Sequence, residues 1–284
     1  MSTILTCTDG SRYARSVYDH TAWAARRLGA DVHVLHVVEE SRHVAPMADL
    51  SGAIGVEAMQ QLTAEIAALE AARARVAQKH AGAILADAQQ HLAGAGLERV
   101  EVEAVGGELL ECITRREAQA ELIVVGKRGE NANLAKLHLG GNLPRVIRSA
   151  RGPVLVASRD FTPIERFLIA YDGSPSVLKA VEYLLTSPLL KGLHGHLVRA
   201  GKLNEAAPGD LEETAVKLRA AGYSITAQAT AGTPEHVIGA ALTEQRAQLL
   251  VMGAFGHSRI REFLLGSTTS AMVRSCLVPV LMFR

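Results

Sequence analysis

Aromatic residues make up only 4% of this 284-residue chain, with a single tryptophan. So few rings leave little surface for base stacking, and 30 Lys plus Arg against 29 Asp plus Glu, a formal charge of +1, provide no basic excess. Nucleic acid is therefore not an expected partner. Cysteine is scarce: Cys7, Cys112 and Cys276 form no CxxC pair, and their odd number and apolar neighbours point to reduced, buried thiols in a cytoplasmic protein. No apolar run approaches the roughly 20 residues of a spanning helix, and Met1-Ser2-Thr3 leads directly into a strand pattern, so no membrane association is expected. A Walker-type GxxxxGK[ST] is also missing, which argues against a conventional phosphate-loop enzyme.

What the chain does contain is glycine at strand ends. The apolar run Leu249-Leu250-Val251-Met252 stops at Gly253-Ala254-Phe255-Gly256, and nine residues later comes Gly266-Ser267-Thr268-Thr269. Glycine lets backbone approach a ligand without an intervening Cβ, and a Gly-Ser-Thr cluster opening a helix offers N–H groups and hydroxyls to an anion. The same residues also suit an ordinary tight turn and helix cap.

The motif does not stand alone, because the chain is an internal repeat. Ile4 to Ser11, ending in Asp9-Gly10-Ser11, is echoed by Phe167 to Ser174, ending in Asp172-Gly173-Ser174. Glu121 to Gly129 is echoed by Gln248 to Gly256, and Gly152 to Val156 by Val278 to Met282. Two domains are predicted, 1–159 and 163–284, each long enough to bury its own core. Short Val/Ile/Leu-rich runs alternate with helical periods, giving an α/β class with five strands per half, near 3–8, 31–38, 99–105, 121–126 and 153–157, then 166–171, 193–199, 223–230, 248–253 and 279–283.

Together these residues resemble the universal stress protein family, whose signature is Gly, two residues, Gly, nine residues, Gly, then Ser or Thr, with an Asp at the end of the first strand. The resemblance implies two tandem flavodoxin-like (adenine nucleotide alpha hydrolase-like) domains, each a five-stranded parallel sheet with helices on both faces, paired as an internal pseudo-dimer. It implies an adenine nucleotide, ATP or AMP with or without Mg, bound mainly in the second domain. Asp172 would face the base or ribose, with Ala170, Tyr171 and Val198 around the base. Met252, Gly253, Phe255 and Gly256 would hold ribose and α-phosphate, and Gly266, Ser267, Thr268 and Thr269 the remaining phosphates.

The first half keeps Asp9, Gly126 and Gly129, but ten residues separate Gly129 from Gly140, and Gly141 and Asn142 replace the family's hydroxyl. Lys127 and Arg128 add charge nearby. Nucleotide binding is expected to be degenerate there.

Three functions follow: a nucleotide-dependent regulator of stress responses acting on protein partners, as monomer or homodimer; a slow ATP hydrolase, for which Arg261 and Glu262 are the nearest charged residues; and a nucleotide-independent interaction module. His194 and His196 share a strand face, lack further metal-ligand spacing, and read as structural; His33 and His36 lie on opposite faces, and His257 reads as a solvated loop residue. Residues 41–80 are particular to the first half: a Pro/Gly-containing loop, then an amphipathic helix bearing Leu62, Ile66 and Leu69. Such a stripe ordinarily faces its own core; a lid or oligomer contact is the alternative.

Overall fold

A computed structural model describes residues 2–38, 56–127, 142–201, 208–254 and 267–284. The first half runs β1 (Thr3–Thr8), α1 (Ala14–Leu28), β2 (Asp31–Val38), α2 (Val56–Gly94), β3 (Val100–Gly106), α3 (Leu109–Arg116), β4 (Ala120–Gly126), α4 (Leu143–Ser149) and β5 (Val154–Ala157). The second runs β6 (Arg166–Ala170), α5 (Pro175–Thr186), β7 (His194–Ala200), α6 (Pro208–Ala220), β8 (Ser224–Thr230), α7 (Pro234–Glu244), β9 (Leu249–Gly253), α8 (Ser267–Ser275) and β10 (Val280–Phe283). All ten strands begin and end within a residue or two of the positions read from the sequence.

The strands form one ten-stranded sheet in the order β3-β2-β1-β4-β5-β10-β9-β6-β7-β8. Each half repeats the same winding, with parallel neighbours joined by crossover helices, as parallel pairing requires. The single antiparallel pair is the seam between the halves, where Val156 faces Val280, Leu155 faces Leu281 and Val154 faces Met282. These two short strands are buried on both faces, and pairing them covers two sheet edges that would otherwise expose unpaired N–H and C=O groups.

Helices cover both faces, so central strands read as continuous apolar runs rather than alternating ones. On one side Ile4, Val34, Val124, Ile169, Leu197 and Val251 pack with α1, α2, α5 and α6. On the other, Leu5, Leu35, Ile123, Leu168, Leu250 and Met252 pack with α3, α4, α7 and α8.

α2 is the crossover from β2 to β3, drawn out to 39 residues. Its buried side chains begin only at Ala81 and continue through Ile84, Leu85, Ala88 and Leu92. The stripe expected to face the core does not: Leu62, Ile66 and Leu69 are exposed, because they lie on the first half of the helix and only its last turns, from Ala81, are buried. The expected loop before this helix lies outside the described residues.

Candidate functional site

β6 sits between β7, on the side of its own crossover, and β9. The winding reverses at β6, and a crevice outside the carboxyl ends of the strands belongs at such a point. Ala170 at the end of β6 lies in register with Met252, so Asp172 and Gly253 leave adjacent strand ends. Asp172 turns the chain: its Oδ1 accepts a 2.9 Å hydrogen bond from the Ser174 N–H, and Gly173 takes the left-handed φ of 72° that this turn needs. Ser174 caps α5, accepting from the Val177 N–H at 3.5 Å, and Pro175 opens the helix where no N–H is required.

Gly253 is pressed against that same helix start. A Cβ there would collide with Ser176 Oγ and stand 3.1 Å from the Val177 nitrogen. Behind it, Thr269 Oγ1 donates to the Gly253 carbonyl at 3.2 Å and so fixes the first turn of α8 to the end of β9. Ser267 is exposed at the start of α8, where free backbone N–H groups and the helix dipole favour an anion.

The remaining expected contacts divide. Ala170, Val198 and Met252 pack together on the α7/α8 side of the sheet, Val198 being 2% and Met252 4% exposed. Tyr171 goes to the other side, because successive residues of an extended chain point in opposite directions. Its hydroxyl accepts from Thr214 Oγ1 of α6 at 3.2 Å, and its N–H donates to the Val198 carbonyl. Tyr171 and Val198 therefore do not form one wall. Phe255, Gly256, Gly266, His257, Arg261 and Glu262 lie outside the described residues.

Two charged residues at this end escaped the sequence reading. Thr268 Oγ1 donates to Glu235 Oε1 at 2.9 Å, placing a carboxylate of α7 beside the start of α8. Arg199, at the end of β7, holds its guanidinium 5.7 Å from the centre of the Tyr171 ring. Neither adjoins a glycine motif in the chain, so only the fold brings them near.

In the first half Asp9 repeats the turn, with Oδ1 accepting from the Ser11 N–H at 2.9 Å and Gly10 at φ 70°. The surroundings differ. Gly10 is covered by Ile84 of α2, whose Cγ1 would lie 2.5 Å from a Cβ, and Tyr13 occupies the place of Ser176. Gly126 ends β4, and the next residue, Lys127, donates through Nζ to the Cys276 carbonyl across the seam. Between the halves is a cavity of about 160 Å³ lined by Tyr13, Gly126, Lys127, Ser158, Arg159 and Arg274, well below the roughly 300 Å³ and more of small-molecule pockets. Asn142 precedes α4 without a side-chain cap bond; Arg128, Gly129, Gly140 and Gly141 lie outside the described residues.

The cysteines and the histidines of β2 and β7 are engaged in the scaffold. All three cysteines are buried, and burial pushes the Cys7 thiol up to about 12 and raises that of Cys276, so neither forms a ready thiolate. His194 and His196 take hydroxyl partners on β8, Ser224 at 3.2 Å and Thr226 at 2.6 Å. His33 pairs with Glu103 at 3.0 Å, while buried His36 bonds the Thr8 carbonyl. Among the described residues no three His, Cys, Asp or Glu gather as a metal site, and no helix is long and apolar enough to cross a membrane.

A doubly wound α/β sheet whose glycine-ended strand faces a Ser/Thr-rich helix start is the architecture of flavodoxin-like proteins. Residues 1–158 and 194–284 match the model of the universal stress protein family, and the chain is 38% identical to universal stress protein Slr1230 of Synechocystis sp. over 287 residues, spanning all of both chains. The chain belongs to the universal stress protein family. The second matched segment begins at β7, so Asp172 lies outside it and Gly253 to Thr269 within it. Among solved structures, a universal stress protein from Archaeoglobus fulgidus has the same fold with a TM-score of 0.72 at 22% identity, over 99% of this chain and 96% of that one. A protein from Pseudomonas aeruginosa aligns with a TM-score of 0.62 at 17% identity, over 100% and 93%.

Proposed function

We propose that the protein is a nucleotide-binding regulator in the stress response, taking ATP or AMP in its second half, and that the chain is two domains, 1–159 and 163–284, joined as an internal pair. The observation that carries this reading is the meeting of Asp172, Gly253 and the start of α8 at the winding reversal. Asp172 and Gly253 leave neighbouring strands, and the Thr269–Gly253 bond holds the Ser267-Thr268 hydroxyls at the same end. In this reading Asp172 and the β6 end receive the nucleoside, the Gly253 turn the ribose and first phosphate, and Gly266 to Thr269 the outer phosphates. Main-chain donors and neutral hydroxyls hold phosphate without a lysine.

The first half acts as a scaffold or protein-contact module. Supporting this are the cover of Ile84 over Gly10 and Tyr13 in place of Ser176. Its buried thiols, Cys7 and Cys112, suit a reducing cytoplasm.

Calorimetric titration of the full chain with ATP and with AMP tests the assignment. One saturable site, lost in Gly266→Val/Ser267→Ala, is expected; no heat and no thermal stabilisation by either nucleotide would leave a nucleotide-independent module. Hydrolysis that survives the double change would belong to a contaminant.

A further inference from the structure

We propose that α2 joins two copies of this chain through an antiparallel coiled coil formed by its residues 59–79. Every residue from 60 to 76 is exposed, and the first buried side chain is Ala81. The 59–79 segment rises about 30 Å, at ~1.5 Å per residue, without a partner among the described elements. A helix of this length draws most of its stability from packing an apolar face.

That face has the spacing of a coiled-coil seam. Met59, Leu62, Ile66, Leu69, Arg73 and Val76 recur at alternating intervals of three and four, the a and d positions of three heptads. Leu62, Ile66, Leu69 and Val76 are 36 to 67% exposed, and these four are half of the large hydrophobic side chains exposed in the protein's described residues. A core-facing helix does not leave its whole seam in water.

Charge identifies the occupant and its direction. Within this segment the carboxylates come first, Glu65 and Glu70, and the cations afterwards, Arg73, Arg75 and Lys79. Two parallel copies would set Glu65 against Glu70 and stack Arg73 on Arg73. Two antiparallel copies place Ile66 against Val76, Leu69 against Arg73, and Glu65 beside Lys79 at both ends; one like pair remains, Glu70 against Glu70 at the centre, where the two Arg73 cations offset it. The segment is complementary to its own reverse, and a second copy of the chain supplies that.

Sedimentation velocity of the full-length protein over a range of micromolar concentrations tests this. The expected result is a reversible dimer that Ile66→Asp/Leu69→Asp converts to monomer, with circular dichroism and the main unfolding transition retained. Glu65→Lys or Lys79→Glu should each weaken self-association about tenfold, and the double exchange should restore it. As an orientation test, Glu65→Cys mixed with Lys79→Cys should form an intermolecular disulfide faster than Glu65→Cys alone; the native cysteines are buried and do not compete. A protein that stays monomeric throughout, a dimer indifferent to Ile66→Asp/Leu69→Asp, or tighter association on Glu65→Lys would overturn the proposal.

Discussion

Thr269 Oγ1 gives its proton to the Gly253 carbonyl 3.2 Å away, so a helix start and a strand end sixteen residues apart are held as one unit. Replacing Thr269 with Val removes that bond inside a buried site and leaves the carbonyl without this partner, at about 1–3 kcal/mol. The expected outcome is a lower melting temperature together with weaker nucleotide affinity, because the α8 donors lose their registration. Differential scanning calorimetry with and without ATP measures both.

Gly253 has no room for a side chain. Gly253→Ala should destabilise the protein by about 1–3 kcal/mol through overpacking against Ser176, and adding Ser176→Gly should recover part of that loss. Denaturant midpoints of the two single variants and the double variant form the cycle; strict additivity would contradict the crowding.

Glu235 occupies Thr268 and places negative charge where outer phosphates are proposed to lie. Glu235→Gln should therefore tighten ATP binding by about threefold, by relieving like-charge repulsion, and AMP binding by less. Titrations at low and high salt check this, since the gain should shrink as salt rises.

The seam joins the two halves, and both cores run across it. Leu155 and Leu281 face each other across it and are both fully buried, so Leu155→Ala should cost about 2–5 kcal/mol. The expected unfolding remains one transition shifted for both halves together, read by denaturant melts with a tryptophan signal from Trp23 and proteolysis of the second half.

Burial holds the imidazoles of His20 and His196 below their ordinary value of 6.5. The unfolded chain therefore binds more protons than the folded one just below pH 6.5, so their contribution is complete above that pH and is lost progressively as pH falls. Glu103 adds a separate loss below its ordinary 4.5, because the Arg116 hydrogen bond holds its carboxyl low. His20→Gln should flatten the first step and leave the second, which urea midpoints across both windows would register.

Much of this was readable from the chain. Strand positions followed from apolar runs ending in Asp-Gly-Ser or glycine, and the repeat fixed the winding of each half. The meeting of Ala170 and Met252 needed only that winding. The family resemblance groups Tyr171 with Val198, and the Tyr171 N–H does bond the Val198 carbonyl, but strand alternation sends the two side chains to opposite sides of the sheet. The antiparallel seam had no local signal beyond two short strands apolar on both faces, and Glu235 reaches Thr268 only through the packing of α7 on α8. The stripe on α2 was visible, but periodicity states that a helix has an apolar side and not what lies against it.

The β5–β10 junction also has a genetic consequence. Since one polypeptide carries both partners, the half with ten residues between Gly129 and Gly140 is always delivered beside the half with nine between Gly256 and Gly266, in equal number and whatever the expression level.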